Sequence, residues 1–205
     1  MKWVGLKGDE RTSRSAQMTS SAPESDAALL RRIKGGEAEA SRLLIDQHLD
    51  RIVAYGYRML GDAAEAEDVA QETFLRLWRN IDKWRAEAPL IYWLQRVAYN
   101  LCIDRLRKKT LVSIDHIPEP IDENENPASS VHRAELSHAI NRAIAGLPDR
   151  QKAAIIFCHQ EELSNIETAK IMEISVEAVE SLLSRGRRSL RKSLEYLRPE
   201  LKGDI

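Results

Sequence analysis

Apolar residues return every three or four positions from about Asp26 to Lys109 and again from Ser130 to Leu197, and each run is cut by a glycine, a proline or a capping side chain. A period near 3.6 commits a chain to helices that bury one face. Strand-type alternation is scarce, and 205 residues hold only 9 Gly and 7 Pro. The expected fold class is all-α. Between the periodic stretches, residues 110–130 lose the repeat, and Pro118, Pro120 and Pro127 stand among Asp115, Glu119, Asp122, Glu123 and Glu125. Such a segment reads as a linker. The predicted organisation is two small helical domains, 25–109 and 131–198, joined by a flexible acidic linker at 110–130. Residues 1–24 are polar and Ser-rich and read as a disordered tail, with a second tail at 199–205.

Helix boundaries follow from caps and breakers. Asp26 is expected to cap a short helix carrying Leu29, Leu30 and Ile33, closed by Gly35-Gly36. A second helix, about 37–60, puts Leu43, Leu44, Ile52, Val53, Tyr57 and Leu60 mostly on one stripe and stops at Gly61. Asp62 caps a third, about 63–79, whose buried face is Ala66, Val69, Ala70, Thr73, Phe74, Leu77 and Trp78. A loop with Trp84 and Pro89 leads to a fourth, about 90–109. In the second domain a helix from near Ser130 ends at Gly146-Leu147-Pro148, and Asp149 is expected to cap the next. Ser164-Asn165-Ile166-Glu167 has the spacing of a capping box and opens a helix that ends near Met172. Ser175 caps the last, about 176–197.

Composition narrows the function classes. A net charge of −1 argues against a protein that coats nucleic acid wholesale, yet charge is segregated: Arg185, Arg187, Arg188, Arg191 and Lys192 cluster near the C-terminus. Cys102 and Cys158 stand apart without a metal-ligand spacing, so neither a metal nor a cofactor is expected. No phosphate loop and no nucleophile–base set marks an enzyme. No apolar run is long enough for direct membrane insertion, and the N-terminus lacks a signal-peptide core, so a cytoplasmic location is expected.

Two segments carry chemistry. The final pair of helices has helix-turn-helix spacing, with Ile166, Ala169, Ile174, Val179, Leu183, Gly186 and Leu190 as its packing set. Glu177, Ala178, Glu180, Ser181, Ser184 and Arg185 face outward at the front of the second helix, and Arg185, Arg188 and Arg191 are spaced to meet phosphates. The plain alternative is an amphipathic hairpin with a solvated basic end. The fourth helix and its loop interleave Trp84, Tyr92, Trp93 and Tyr99 with Arg85, Arg96, Arg105, Arg107, Lys108 and Lys109. Aromatic faces stack single-stranded bases while cations hold the backbone; core packing of Trp93 and Tyr99 is the alternative. On the third helix Asp68, Gln71, Glu72 and Arg79 surround Leu75 off the buried stripe; a lone exposed leucine needs no functional explanation. The residues alone leave three classes open: a polymerase-dependent initiation factor, a free-standing helix-turn-helix regulator, and a helical protein adaptor.

Residues 62–78, the stretch Trp93 to Asn100 with Asp104 to Lys108, and Leu147-Pro148 with Ser164 to Ile174 and Val179 to Leu190 resemble the extracytoplasmic-function (ECF) sigma factors of the sigma-70 family. The resemblance covers nearly all of Asp26 to Leu194. It implies a non-enzymatic factor that binds core RNA polymerase, directs it to promoters and aids melting, in a stress or envelope response under an anti-sigma factor. Asp68, Gln71, Glu72, Phe74 and Leu75 would meet the β′ coiled coil, and the β flap would be a further polymerase contact. Trp84, Arg85, Tyr92, Arg96, Asn100, Asp104, Arg105, Arg107 and Lys108 would read and melt −10 DNA, the loop holding a flipped base. Ser175, Glu177, Ala178, Glu180, Ser181, Ser184, Arg185 and Arg188 would take the −35 major groove. The chain departs from the family at Glu173, where Gly is usual in the turn, at Glu180 and Leu182, where Lys or Arg is usual, and over residues 85–90.

Overall fold

The computed structural model describes residues 24–84, 88–112 and 130–195, with side chains to Lys109 in the middle segment and from Leu136 in the last. The expected tails, most of the linker and Arg85 lie outside the described residues. Among the described residues the fold is all-α. The N-terminal unit holds α1 (Asp26–Lys34), α2 (Ala38–Leu60), α3 (Ala63–Asn80), a 3₁₀ turn (Ile81–Lys83) and α4 (Leu90–Val112). The cap of α1 is Ser25 rather than Asp26: the Ser25 hydroxyl accepts from the Ala28 N–H. Asp26 is turned inward and sits 2.7 Å from Nε2 of buried His48. Gly61 ends α2 in the left-handed region at φ 70°, and the Asp62 carboxylate accepts from the Glu65 N–H at 2.9 Å to start α3. That turn folds α3 back onto α2.

Close approach of α2 and α3 depends on Gly56. A Cβ there would stand 3.1 Å from the Ala66 Cα and 3.2 Å from its Cβ. The α2 stripe differs from the expected one: Ala40, Leu44, His48, Ile52, Tyr55 and Met59 are buried, while Leu43 and Tyr57 are exposed. The close helix crossing at Gly56 rotates α2 so that Tyr55, not Tyr57, points inward. On α3 the predicted stripe is buried apart from Trp78, which is half-buried. Helix α4 runs to Val112, three residues beyond its expected end.

The C-terminal unit holds α5 (Ser130–Ala145), α6 (Asp149–Ile155), a wide π-type turn (Ile156–Gln160), α7 (Asn165–Met172) and α8 (Val176–Ser193). Asp149 is the first residue of α6, not its cap; Pro148 takes the cap position, where a missing N–H costs nothing. The capping box forms as spaced: the Ser164 hydroxyl accepts from the Glu167 N–H, and the Glu167 carboxylate accepts from the Ser164 N–H at 2.8 Å. Ser175 caps α8. Ala169, Val179, Leu183 and Gly186 pack as predicted. Ile166 does not; at 58% exposure it lies on the outer side of α7, because Thr168, Ala169, Ile171 and Met172 take the inner one.

The two units pack against each other. One apolar core runs through both, with Ile155, Ile156 and Phe157 joining Tyr55, Met59 and Tyr99. The Phe157 ring stacks on Tyr55 at 4.7 Å and meets Tyr99 edge-on at 6.2 Å.

Replacing Gly56 by Ala tests the α2–α3 contact. Helix propensity favours Ala by about 1 kcal/mol, but the Ala66 backbone cannot give way and overpacking costs roughly 1–3 kcal/mol, a net loss of up to about 2 kcal/mol. Gly186→Ala provides the contrast, because its new Cβ meets only side chains, the nearest being Ile155 Cγ1 at 3.1 Å. Thermal melts should show Gly56→Ala clearly below Gly186→Ala; equal Tm values would reject the reading of the α2–α3 crossing.

Candidate nucleic-acid interface

Helix α8 is apolar on one side and charged on the other. Val179, Leu183 and Gly186 are buried beneath it, so Glu177, Glu180, Ser181, Ser184, Arg185 and Arg188 stand exposed, with Ala178 half-buried. Arg185, Arg188 and Arg191 are three residues apart and run along one face of the helix. Arg185 lies along its own helix, donating from Nε to the Ser181 carbonyl at 3.3 Å and from Nη2 to the Ser181 hydroxyl at 3.0 Å. Ser175 has its hydroxyl oxygen committed to the cap, accepting from the Ala178 N–H at 3.2 Å. Helices α7 and α8 join through Glu173 at φ 53°, a conformation that favours Gly, and the turn closes by the Ile174 N–H donating to the Ala169 carbonyl.

Helix α4 supplies a second polar face. Asn100, Asp104, Arg107 and Lys108 are exposed; Tyr92, Arg96 and Arg105 are half-buried. Arg105 donates to the Glu65 carbonyl at 2.7 Å, and Arg107 pairs with Asp104 at 3.1 Å. Both contacts fix long side chains before any ligand arrives. The aromatic residues divide. Tyr99 belongs to the core, and burial pushes its hydroxyl pKa up. Trp84 and Trp93 meet edge to face at 6.1 Å, both half-buried. Trp84 also lines a cleft of 380 Å³ with Asp26, Leu30 and Pro89.

On α3, Asp68, Gln71 and Arg79 are exposed and Leu75 is 39% exposed among them. Glu72 pairs with Arg76 at 2.9 Å, which holds its carboxyl below the ordinary range. Phe74 was expected on this contact face. It is 5% exposed and packs against Trp78.

Sequence reasoning missed how α4 is covered. The Tyr92 hydroxyl donates to the Glu167 carboxylate. Arg96 donates to the Lys170 carbonyl at 3.2 Å and pairs with Glu173 at 3.1 Å. Below them the Glu161 carboxylate, 5% exposed, accepts from Arg51 at 2.6 Å, Arg58 at 2.7 Å and Gln95 at 3.1 Å. The buried Lys152 amine donates to the Met59 carbonyl at the C-terminal end of α2, and burial pushes its pKa down. The one hint in the sequence was a polar residue on an apolar stripe: Gln95 beside Leu94 and Ala98.

A helix-turn-helix with a basic recognition helix, joined to a second unit with an aromatic and basic helix, defines a DNA-binding protein that reads two separate elements. Residues 44–111 match the Sigma-70 region 2 family model, and residues 137–190 match the model of Sigma-70, region 4. The chain is 35% identical over 179 residues to the ECF RNA polymerase sigma factor SigW of Bacillus subtilis, covering 82% of this chain and 96% of that one. It belongs to the ECF sigma factors of the sigma-70 family. The fold is shared with CnrH in its complex with the cytosolic domain of CnrY, at 23% identity and TM-score 0.62 over 84% of this chain and 99% of that one. It is shared equally with the sigma factor RpoE of Bartonella quintana, in a complex with the anti-sigma factor NepR, at 19% identity and TM-score 0.62 over 75% and 96%.

Glu167 makes the α4–α7 contact measurable. Hydrogen bonds from the Tyr92 hydroxyl and then from Ser164 hold its carboxyl down at about 2. A folded pKa below the ordinary carboxyl value of 4.5 means that the stability it adds is present above 4.5 and is lost as the pH falls through about 2. Tyr92→Phe should raise the Glu167 midpoint towards 4.5 in a carboxyl-carbon NMR titration. A midpoint that stays put would remove Tyr92 from the account.

Proposed function

We propose that this chain is an alternative-type sigma factor that binds core RNA polymerase, brings it to a specific set of promoters and promotes melting. Residues 25–109 act as sigma domain 2 and residues 131–198 as sigma domain 4, with 110–130 as the linker and 1–24 and 199–205 as tails. The observation that carries the reading is that the two family matches fall on the two units bearing the exposed Leu75 face and the basic α8 face. Asp68, Gln71, Glu72 and Leu75 meet the β′ coiled coil, while domain 4 meets the β flap. Trp84, Arg85, Tyr92, Arg96, Asn100, Asp104, Arg105, Arg107 and Lys108 serve −10 recognition and melting, and the cleft beside Trp84 and Pro89 receives a flipped base. Each base stacked on an aromatic ring contributes about 1–3 kcal/mol, comparable to the cost of unstacking it, so capture needs no ATP.

Ser175, Glu177, Ala178, Glu180, Ser181, Ser184, Arg185 and Arg188 occupy the −35 major groove. With Glu180 and Leu182 where basic residues are usual, attraction to phosphate rests on the Arg185, Arg188 and Arg191 row. The factor works in the cytoplasm in a stress or envelope response, without enzymatic activity, and an anti-sigma factor restrains it. No helix among the described residues is long and apolar enough to cross a membrane. A relative crystallised with its anti-sigma factor has the same fold, which supports that last assignment.

The deciding assay adds pure protein to core polymerase and scores initiation at defined promoters. Leu75→Asp should weaken core binding at least tenfold, about 1.4 kcal/mol, with circular dichroism unchanged; undiminished co-purification with polymerase rejects that face. Arg188→Ala should lower promoter affinity and flatten the log K against log salt slope by about 1. Tight, selective duplex binding without polymerase would favour a free-standing regulator instead.

A further inference from the structure

Charge on the outer face of α8 changes sign along the helix. From Val176 to Ser184 there is no Lys or Arg, and Glu177, Glu180, Ser181 and Ser184 are exposed. From Arg185 onward come Arg187, Arg188, Arg191 and Lys192. The basic end suits a DNA backbone. The acidic front does not. A recognition helix leads into the major groove with its N-terminal residues, and here those residues carry two carboxylates past the phosphates.

The polar side chains of that front have different duties. The Ser175 hydroxyl accepts from the Ala178 N–H and caps the helix. The Glu177 carboxylate accepts from its own N–H and from the Ser175 hydroxyl, which hold its pKa below the ordinary range. Glu177 therefore serves the start of α8 whether or not DNA is present. The Ser181 hydroxyl and carbonyl accept from Arg185. Glu180 has no such task. The residues one turn away from it are Val176, Glu177, Leu183 and Ser184, none of them cationic, and among the described residues it forms no ion pair. With Glu177 one turn before it, an acid at this position brings the free helix no gain.

We infer that Glu180 is a specificity-determining residue of the −35 contact, its carboxylate accepting a hydrogen bond from the N4 amino group of a cytosine in the major groove. This rests on the proposed placement of α8 in that groove. The choice of base follows from the base edges. An ionised carboxylate only accepts. Guanine presents N7 and O6 and thymine presents O4, so lone pairs would face lone pairs. Adenine has an amine at N6, but its N7 acceptor lies beside it and opposes the second carboxylate oxygen. Cytosine presents its amine with no acceptor of its own next to it. Glu180 thus selects by repelling two bases as well as by bonding one. The same charge weakens attraction to phosphate at every sequence, and the arginine row supplies what it removes.

The test uses the full-length chain with core polymerase and a promoter library randomised in both elements, read by sequencing the templates that initiate. At one −35 position, on one strand, wild type should favour cytosine over guanine and thymine by about tenfold. Glu180→Gln keeps the side-chain size and removes the charge. It should flatten the preference at that position and admit adenine, which an amide meets at N6 and N7. The −10 profile and the circular dichroism should stay as they were, because the side chain is exposed and remote from the core. An even rise in initiation over all sequences, with the cytosine preference intact, would reduce Glu180 to a bulk electrostatic effect and overturn the inference. Wild type without any cytosine preference would overturn it as well. Should wild type direct initiation at no member of the library, the sigma-factor reading itself falls and takes this inference with it. That result is distinct from an active factor whose −35 profile ignores residue 180.

Discussion

A phenylalanine and a glutamate four residues apart hold the two halves of this molecule together. Phe157 enters the N-terminal unit between Tyr55 and Tyr99, and Glu161 accepts from Arg51, Arg58 and Gln95 at the edge of the same contact. The ring carries the apolar contact of the turn after α6 with Tyr55 of α2. Without the carboxylate's three donors, a nearly buried charge would be unsupported, a cost that ordinarily exceeds what a surface ion pair returns. The relation of α7 to α4, and so the availability of Tyr92 and Arg96, follows from that one seam.

The seam sorts the surfaces by accessibility. Leu75 with its polar neighbours and the arginine row of α8 lie on opposite units and both face solvent. Of the α4 residues that would read a melted strand, Tyr92 and Arg96 are bound by Glu167 and Glu173, while Asn100, Arg107 and Lys108 remain exposed. The net charge of −1 is the balance of 31 Lys and Arg against 32 Asp and Glu, and some of those acids lie directly against bases, as Glu173 does against Arg96 and Glu65 against Lys109.

Some of this was legible before any coordinates. Local rules are read locally, so Asp62, Ser164 with Glu167, Ser175 and the Gly61 stop all fell where spacing put them. Stripe assignments held on α3 and along most of α8 and failed in part on α2 and α7. Leu43 and Tyr57 came out to solvent because the Gly56 contact sets the rotation of α2, and Ile166 came out because α7 turns its other side to the core. Asp26 was misread as a cap because its partner, His48, is 22 residues away in the chain.

The sequence by itself determined the helices, the caps of α3, α7 and α8, the helix-turn-helix and the two family signatures, since each depends on residues within a turn or two of one another or on ordered motifs. Only the tertiary structure decided that Phe74 and Tyr99 are buried and that the N-terminal part of α4 meets α7 and the turn after it. Glu161 lies 110 residues from Arg51, 103 from Arg58 and 66 from Gln95. No periodicity records a pairing at such separations, because the energy that selects it comes from surfaces that exist only once both units have folded.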